Sequence, residues 1–590
     1  MKNVKLFFLT ILIGSSFISG CNKEFLTTPP QGALSEEVLA TQKGVEGLLV
    51  GAYAALGGQR LNTGQENWAT APDNWLYGSV SGGDAHKGSE GGDQLPMNPI
   101  MNFTLDAMNP FFDGKWRANY EGIARCNMTL KVLPTVSDIN DNDRKNIEAQ
   151  ARFLRAYFYF DLKAMFNMVS WIDETTTDFN QPNDVDIWPR IEADLDFAMK
   201  TLPETQNAAG KVNKWAAAAY LAKTYLFQHK FPDAKAIFDQ VIQNGRTSNG
   251  IKYALNGALQ DNWKPELELT NPEAIFSIQQ ATHTGTGDIS QSRAGDILNY
   301  PYPNSPWCCG FFQPSQDLAN SYRVNPATGL PYLDNYNDYG VKNDMGVESN
   351  AAFTPDNGAL DPRLDWTIGR RGIPYLDWGI HPGKKWIRDQ SYGGPYSPKK
   401  NLFWQSTKDQ YYDALDFGPG TALNYVRMRF AQVLLMAAEC EAQLGNLDKA
   451  EAYVNMIRNR AADPDGWVYT YKDVNDPMAG FTGTPAANYL IKPYPNGYFG
   501  QAGKEVALKA IYFEEKLELA MEGHRFFDLV RWGIAAQTVN AYLEFEGKVT
   551  TDMGQGRFTP GRNEYFPIPQ SEIDLSVVNG KPMLQQNKGY

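Results

Sequence analysis

Apolar residues recur at helical spacing through two adjacent stretches late in the chain. Phe430, Val433, Leu434, Ala437, Ala438 and Leu444 fall on one face. Gly445-Asn446 breaks the run, and Leu447, Ala450, Tyr453, Val454, Ile457 and Ala461 resume it. Two helices joined by so short a turn must lie antiparallel, with the Ala positions letting their backbones approach. Residues 213–244 carry the same design. Leu221, Ala222, Tyr225, Ala234, Phe238 and Val241, moved by 216 positions, land on Ala437, Ala438, Glu441, Ala450, Val454 and Ile457. Ala193 and Phe197 repeat the small-to-aromatic step once more.

The positions of these small residues are those of tetratricopeptide repeats, in which each helix pair buries its apolar face against the next. Further helical patterns span about 112–133, 143–166, 187–202 and 505–521, with Asn213 as a cap. A first helix is expected from Ser35, with Glu36 and Glu37 in its opening turn, through Leu56 to the stop at Gly57-Gly58. The expectation is an all-α, divergent tetratricopeptide-repeat scaffold over about 35–244 and 425–533. Periodicity fails in two large insertions, about 59–109 and 245–424, and in a smaller one at 463–503. These are rich in Gly, Pro, Asn and Asp, yet they carry many Trp and Tyr residues. Trp263, Trp307, Trp366, Trp378, Trp386 and Trp404 must pack on something, so these segments are folded and not linkers.

The first residues change the picture of where the chain resides. Lys2 and Lys5 precede an apolar run from Leu6 to Ile13, and Ile18-Ser19-Gly20-Cys21 is a small-residue cleavage box ending in Cys. This predicts a lipoprotein signal over 1–20, a lipid anchor on Cys21 and a mature domain over 21–590, outside the cytoplasm. The membrane is then touched only through the anchor. A formal net charge of −13 without basic runs argues against nucleic acid as a partner. Cys126 and Cys440 sit in helical patterns and read as small core residues. Adjacent Cys308-Cys309 in a Pro-rich loop can close a vicinal disulfide in an oxidising compartment.

Catalytic signatures are missing. The five His residues are scattered, and neither a phosphate-cradling glycine loop nor a nucleophile elbow occurs. No cofactor is expected. Asp334, Asn337, Asp338, Asn343 and Asp344 offer oxygen ligands for a structural calcium ion, without the spacing of a known calcium loop. What remains is aromatic loops flanked by planar polar side chains, the chemistry that stacks on the C–H faces of sugar rings and hydrogen-bonds their hydroxyls. Trp68, Trp75, Tyr77, Asp84, Tyr302, Trp307, Cys308 and Cys309 are the candidate ligand residues.

The C-terminal third resembles the SusD/RagB family of outer-membrane nutrient-binding lipoproteins. The residues carrying this are Glu518-Leu519, Glu522-Gly523-His524-Arg525, Asp528-Leu529, Arg531-Trp532-Gly533 and Phe566-Pro567-Ile568-Pro569. Cys21, Phe25-Leu26, Arg155-Ala156-Tyr157, Asp361-Pro362-Arg363-Leu364 and Arg429 through Glu439 follow the same order of landmarks. The resemblance implies a binding protein without catalysis, facing the cell surface. It would capture oligo- or polysaccharide and pass it to a SusC-like TonB-dependent transporter. A peptide-capturing role on the same scaffold and an anchored glycoside hydrolase are the alternatives.

Overall fold

The computed structural model describes residues 36–58, 67–285, 291–302, 307–414 and 418–590. Cys21 and its cleavage box lie outside them. Helices dominate: α1 (Gln42–Ala55), α2 (Pro110–Val132), α3 (Asp141–Phe166), α4 (Trp188–Thr201), α5 (Lys214–Phe227) and α6 (Phe231–Asn244) come before the large insertion. α7 (Phe430–Gln443), α8 (Leu447–Ala462), α9 (Lys504–Glu518), α10 (Arg525–Arg531) and α11 (Ala535–Glu546) follow it. Helix starts are set by side chains that accept from orphan backbone N–H groups. Asn140 Oδ1 takes the amide of Asp143 at 2.9 Å, and Asn213 Oδ1 takes that of Ala216 at 2.9 Å.

The repeat read from the sequence is present to the residue. α5 and α6 begin at 214 and 231, and α7 and α8 begin at 430 and 447, the same offset for both. Gly445 makes the turn of the second hairpin at φ +88°, a backbone region that favours glycine. Ala222, Ala234, Phe238, Val241, Ala438, Ala450, Val454 and Ile457 are all fully buried. Each of the larger side chains among them contributes about 1.5–3 kcal/mol of burial. Successive helices pack in a row, α1 on α2 and on through α6, and α7 then packs on α6. The 245–424 insertion therefore leaves the row and returns to the place it left. Its two ends are tied by strand β2 (Ala274–Ile278), which pairs antiparallel with β4 (Tyr425–Arg429), Ala274 opposite Arg429.

The first helix departs from expectation. Helix over Glu36–Leu39 stops, and α1 starts afresh at Gln42. Thr41 is extended and its hydroxyl accepts from Gly44 N at 3.1 Å, so a cap interrupts the run. Ser35, the expected cap, lies outside the described residues.

The 59–109 segment, so far as it is described, is core and not an exposed loop. Residues 67–89 are buried almost without exception, and β1 (Ala85–Gly88) pairs antiparallel with β3 (Phe311–Pro314) of the large insertion. Close backbone approach explains part of the C-terminal motif. A Cβ on Gly78 would lie 1.9 Å from the carbonyl oxygen of Gly523, so the Glu522-Gly523-His524-Arg525 turn seats directly on this segment. Cys126 and Cys440 are buried thiols, as expected of core positions.

Candidate functional site

The large insertion has a hydrophobic core of its own. Trp263, Tyr300, Trp307, Trp366, Tyr375, Phe403 and Tyr489 are buried in it, and Trp378, Trp386, Trp404, Tyr412 and Trp467 form a half-buried rim. Rings contact one another in a chain. Trp307 meets Trp378 at 4.5 Å between centroids and Trp386 at 6.3 Å, and Trp378 meets Phe403 at 5.5 Å. Such tilted and edge-on pairs add about 0.5–1.5 kcal/mol each beyond burial. Indole N–H groups point inward to backbone carbonyls: Trp378 to Phe403 at 2.7 Å, Trp366 to Gly466 at 2.7 Å and Trp467 to Ala461 at 3.1 Å. The nitrogens are thus fixed in protein while one side of each rim ring is left to solvent.

At one end the rim encloses a cavity of about 270 Å³, close to the lower bound of ordinary ligand pockets. Trp404, Trp467, Tyr469 and Phe481 supply aromatic walls, with Gln260, Lys264 and Asp465 as polar groups. The second insertion delivers most of them. β5 (Tyr469–Tyr471) and β6 (Phe481–Pro485) form an antiparallel hairpin, and Tyr471 donates its hydroxyl to Leu376 O at 2.5 Å and Gly379 O at 3.0 Å. Trp404 and Phe481 meet edge-on at 6.4 Å. Gln260 Oε1 is buried without a hydrogen-bond partner among the described residues, an acceptor aimed at whatever fills the cavity. Lys264 is paired with Asp261 at 2.7 Å and lies 5.9 Å from the Trp404 ring. Below them Lys399 is buried, donating to Pro374 O at 2.8 Å, and burial lowers its ammonium to about 7.

At the other end stand four of the residues expected from sequence. Tyr302 is half-buried, and its backbone N–H donates to Trp386 O at 2.9 Å. Arg388 lies over the Tyr302 ring at 5.3 Å while pairing with Glu90 at 2.8 Å and Asp93 at 2.6 Å. Trp307 is inside, 7% exposed, as the buried support of Trp378 and Trp386. Cys308 and Cys309 are bonded to each other and half-buried, their Cα atoms 3.1 Å apart.

The remaining candidates are placed elsewhere. Trp75, Tyr77 and Asp84 are each 1% exposed and present no face to a ligand. Trp75 packs on Phe312 at 5.3 Å, and the Tyr77 hydroxyl donates to Ala69 O and Phe111 O at 2.8 and 2.9 Å. Asp84 accepts from Ser79 Oγ at 2.9 Å and Met521 N at 3.0 Å, and burial raises its pKa. Trp68 is 7% exposed and donates to Gln94 Oε1 at 3.1 Å. These aromatics anchor their segment to the scaffold. The expected calcium ligands are likewise committed to protein: Asn337 donates to Asp317 at 2.8 Å, Asn343 to Gln316 at 2.7 Å, and Asp334 pairs with Lys509 at 2.5 Å. Among the described residues no group of three or more His, Cys, Asp or Glu side chains is set to hold a metal.

A larger cavity of about 840 Å³ lies on the helical scaffold, between α2 and the segment around 170–181. Trp116 and Phe179 are in its wall, but its charged groups are paired within it, Arg117 with Glu572 at 2.8 Å and Arg125 with Glu121 at 2.8 Å. It lacks the fixed aromatic rim of the insertion. Among the described residues no helix is long and apolar enough to cross a membrane.

Sequence reasoning named Trp404 only as a residue needing packing and passed over Trp467, Tyr469 and Phe481. The available signal was the i, i+2 spacing of Trp467 and Tyr469, which puts both on one side of an extended strand.

Comparison with known proteins agrees with this architecture. Residues 272–590 match the profile of the SusD family, and residues 25–226 match one described as starch-binding, associating with the outer membrane. The SusD-like protein P2 of Formosa agariphila is 23% identical over 606 aligned positions, covering all of both chains. A laminarin-binding SusD-like protein superposes with a TM-score of 0.63 at 22% identity, over 93% of this chain and 100% of its own. The surface glycan-binding protein A of Bacteroides thetaiotaomicron, solved with laminarihexaose, gives 0.63 at 21% identity over 93% and 99%. With more than half its length matched by the family profile, and with the helical repeats and landmark motifs in place, the chain belongs to the SusD family.

Proposed function

We propose that the protein is a lipid-anchored, surface-facing glycan receptor of the outer membrane that hands its ligand to a SusC-like TonB-dependent transporter. The observation that carries this reading is the half-buried tryptophan rim of the insertion, with its indole nitrogens tied inward and a cavity among its rings. Sugar rings stack on such faces through their C–H groups, while Gln260, Asp465 and Lys264 meet hydroxyls. Tyr302 with the Cys308–Cys309 pair, backed by Trp307, continues the platform at its far end. Rim charges pair with one another, Arg388 with Glu90 and Asp93 and Lys264 with Asp261, so the surface suits a neutral glycan. Laminarin and laminarihexaose, named with two structural relatives, are the neutral glucans to try first.

Binding without hydrolysis follows from the cavity wall, where Asp465 is the sole carboxylate among the described residues. Glycoside hydrolysis takes two flanking carboxyl groups. Calorimetry of the soluble chain lacking residues 1–21 against a panel of neutral glycans, acidic glycans and peptides tests the reading. Micromolar binding of a neutral glycan, with no reducing sugar released, is the expected result. Binding of peptides alone would replace it with the peptide-capturing role.

A further inference from the structure

Behind the Glu522-Gly523-His524-Arg525 turn, α3, α5 and α10 enclose a small polar cavity of about 30 Å³. That is room for one or two waters or one small ion, since a water needs about 10–15 Å³ by this measure. Its walls include Lys223, Arg427, His524, Asp161 and Asp528. Both carboxylates already have cations: Asp161 pairs with Lys115 at 3.2 Å and accepts from Asn74 at 2.7 Å, and Asp528 pairs with Arg531 at 2.8 Å. Two cations are left over. Arg427 is 7% exposed, donates its Nε to the Tyr157 hydroxyl at 3.0 Å, and has no partner for Nη1. Lys223 is 8% exposed, sits over the rings of Phe160 and Phe227 at 5.4 and 5.7 Å, and has no hydrogen bond or ion pair among the described residues.

Two unmatched buried cations facing one void cost free energy unless an anion or their own deprotonation relieves them. Arginine does not deprotonate in proteins. The field is positive enough to act on a neighbour: burial, with Lys223 and Arg427 next, keeps the His524 imidazole well below its ordinary pKa. His524 is therefore neutral and adds no charge of its own. A water bridging Arg427 Nη1 to the unpaired Asn74 Oδ1 would satisfy two hydrogen bonds but leave the charge uncompensated.

We propose that this cavity is an internal site for one small monovalent anion of the halide class, held between the Lys223 ammonium and the Arg427 guanidinium. Its place joins α3 and α5 of the early repeats to the C-terminal α10, so an anion there fastens the two ends of the scaffold.

The test uses the full soluble chain. Crystals grown or soaked in bromide are expected to show an anomalous bromine peak in this cavity. Thermal unfolding at constant ionic strength, chloride replacing the bulkier methanesulfonate, is expected to rise by about 1 °C per tenfold increase in chloride once the site fills. Lys223→Met should abolish that dependence. A wild-type map with no anomalous peak in the cavity, or with water alone, overturns the proposal even if the variant fails to fold. A peak without chloride-dependent stability means an adventitious ion only, and overturns it as well.

Discussion

Arg429 and Glu518 face each other in the protein interior, guanidinium Nη1 2.6 Å from carboxylate Oε1, with each side chain at most 2% exposed. Arg429 ends β4 at the return of the large insertion, and Glu518 ends α9. Around them Glu273 lies 2.7 Å and Glu522 2.8 Å from Arg429, and Arg363 lies 3.1 Å from Glu518, with Arg460 closer still. Insertion, repeat hairpin and C-terminal helix thus meet at one buried ionic knot, which fixes the aromatic rim against the scaffold.

Burial disfavours the Glu518 charge, but Arg460, Arg429 and Arg363 outweigh it and hold the carboxyl well below the usual range. A depressed folded-state pKa gives stability that is present above the unfolded value, about 4.3, and is lost as pH falls below it. Glu518→Gln leaves several guanidinium groups unpaired and should cost about 3–5 kcal/mol. Urea unfolding should show the loss at pH 7. The gap between variant and wild type should narrow as pH falls below about 4. A gap constant across that window would contradict the charge assignment.

His86 predicts the opposite slope. It is buried between Glu546 at 3.0 Å and Asp552 at 3.2 Å. Burial works against its proton, yet Asp552 and Glu546 prevail and raise it to about 10. A raised folded-state pKa gives stability that is full below the unfolded value, about 6.5, and is lost as pH rises through the folded one. His86→Gln should therefore lose most stability near neutral pH and approach wild type near pH 10. Because buried Lys399 drives the global curve the other way, the measurement is the difference between variant and wild type. No change in that difference between pH 6 and 10 would defeat the assignment.

The helical scaffold was legible because its signal is periodic and local. A216-type small positions at a crossing and a Gly-Asn turn have one structural meaning wherever they occur, which is why the offset between α5 and α7 holds to the residue. The binding face was legible only as a composition. Trp75 and Trp404 both sit in aperiodic, Gly-rich surroundings, and nothing local tells a ring that anchors a segment from one that lines a cavity. Long-range packing decides: Trp75 is covered by Phe312 of the insertion, whereas Trp404 meets only the edge of Phe481.

Gly78 offers a test of the contact between the early segment and the C-terminal motif. A methyl group there would clash with backbone at Gly523, with no flexible side chain to yield. Gly78→Ala should lower the melting temperature strongly, while Gly47→Ala, whose Cβ meets nothing within 4 Å, should leave it unchanged or slightly higher. Equal melting temperatures for the two variants would remove the proposed seating.

Cys308 and Cys309 predict a mass difference. Intact-mass measurement of the native chain should find it two hydrogens lighter than after reduction under denaturing conditions, because Cys126 and Cys440 are buried thiols that stay reduced. Identical masses mean free thiols at all four positions. Replacing both residues by Ser should weaken glycan binding less than loss of a rim tryptophan, since the pair supports the platform's end and not its cavity.

The rim itself is tested by Trp404→Ala and Trp467→Ala. Each removes one aromatic wall of the cavity, and stacking of this kind is worth about 1–2 kcal/mol, so each should weaken neutral-glycan binding by roughly tenfold or more. Both rings are half-buried at the edge of the insertion, so the melting temperature should fall by only a few degrees. Trp75→Ala provides the contrast: it excavates the core and should cost about 3–5 kcal/mol of stability. Any protein that still folds should keep its affinity. If Trp75→Ala abolished binding in a folded protein while Trp404→Ala and Trp467→Ala bound normally, the ligand face would lie on the early segment and not on the insertion.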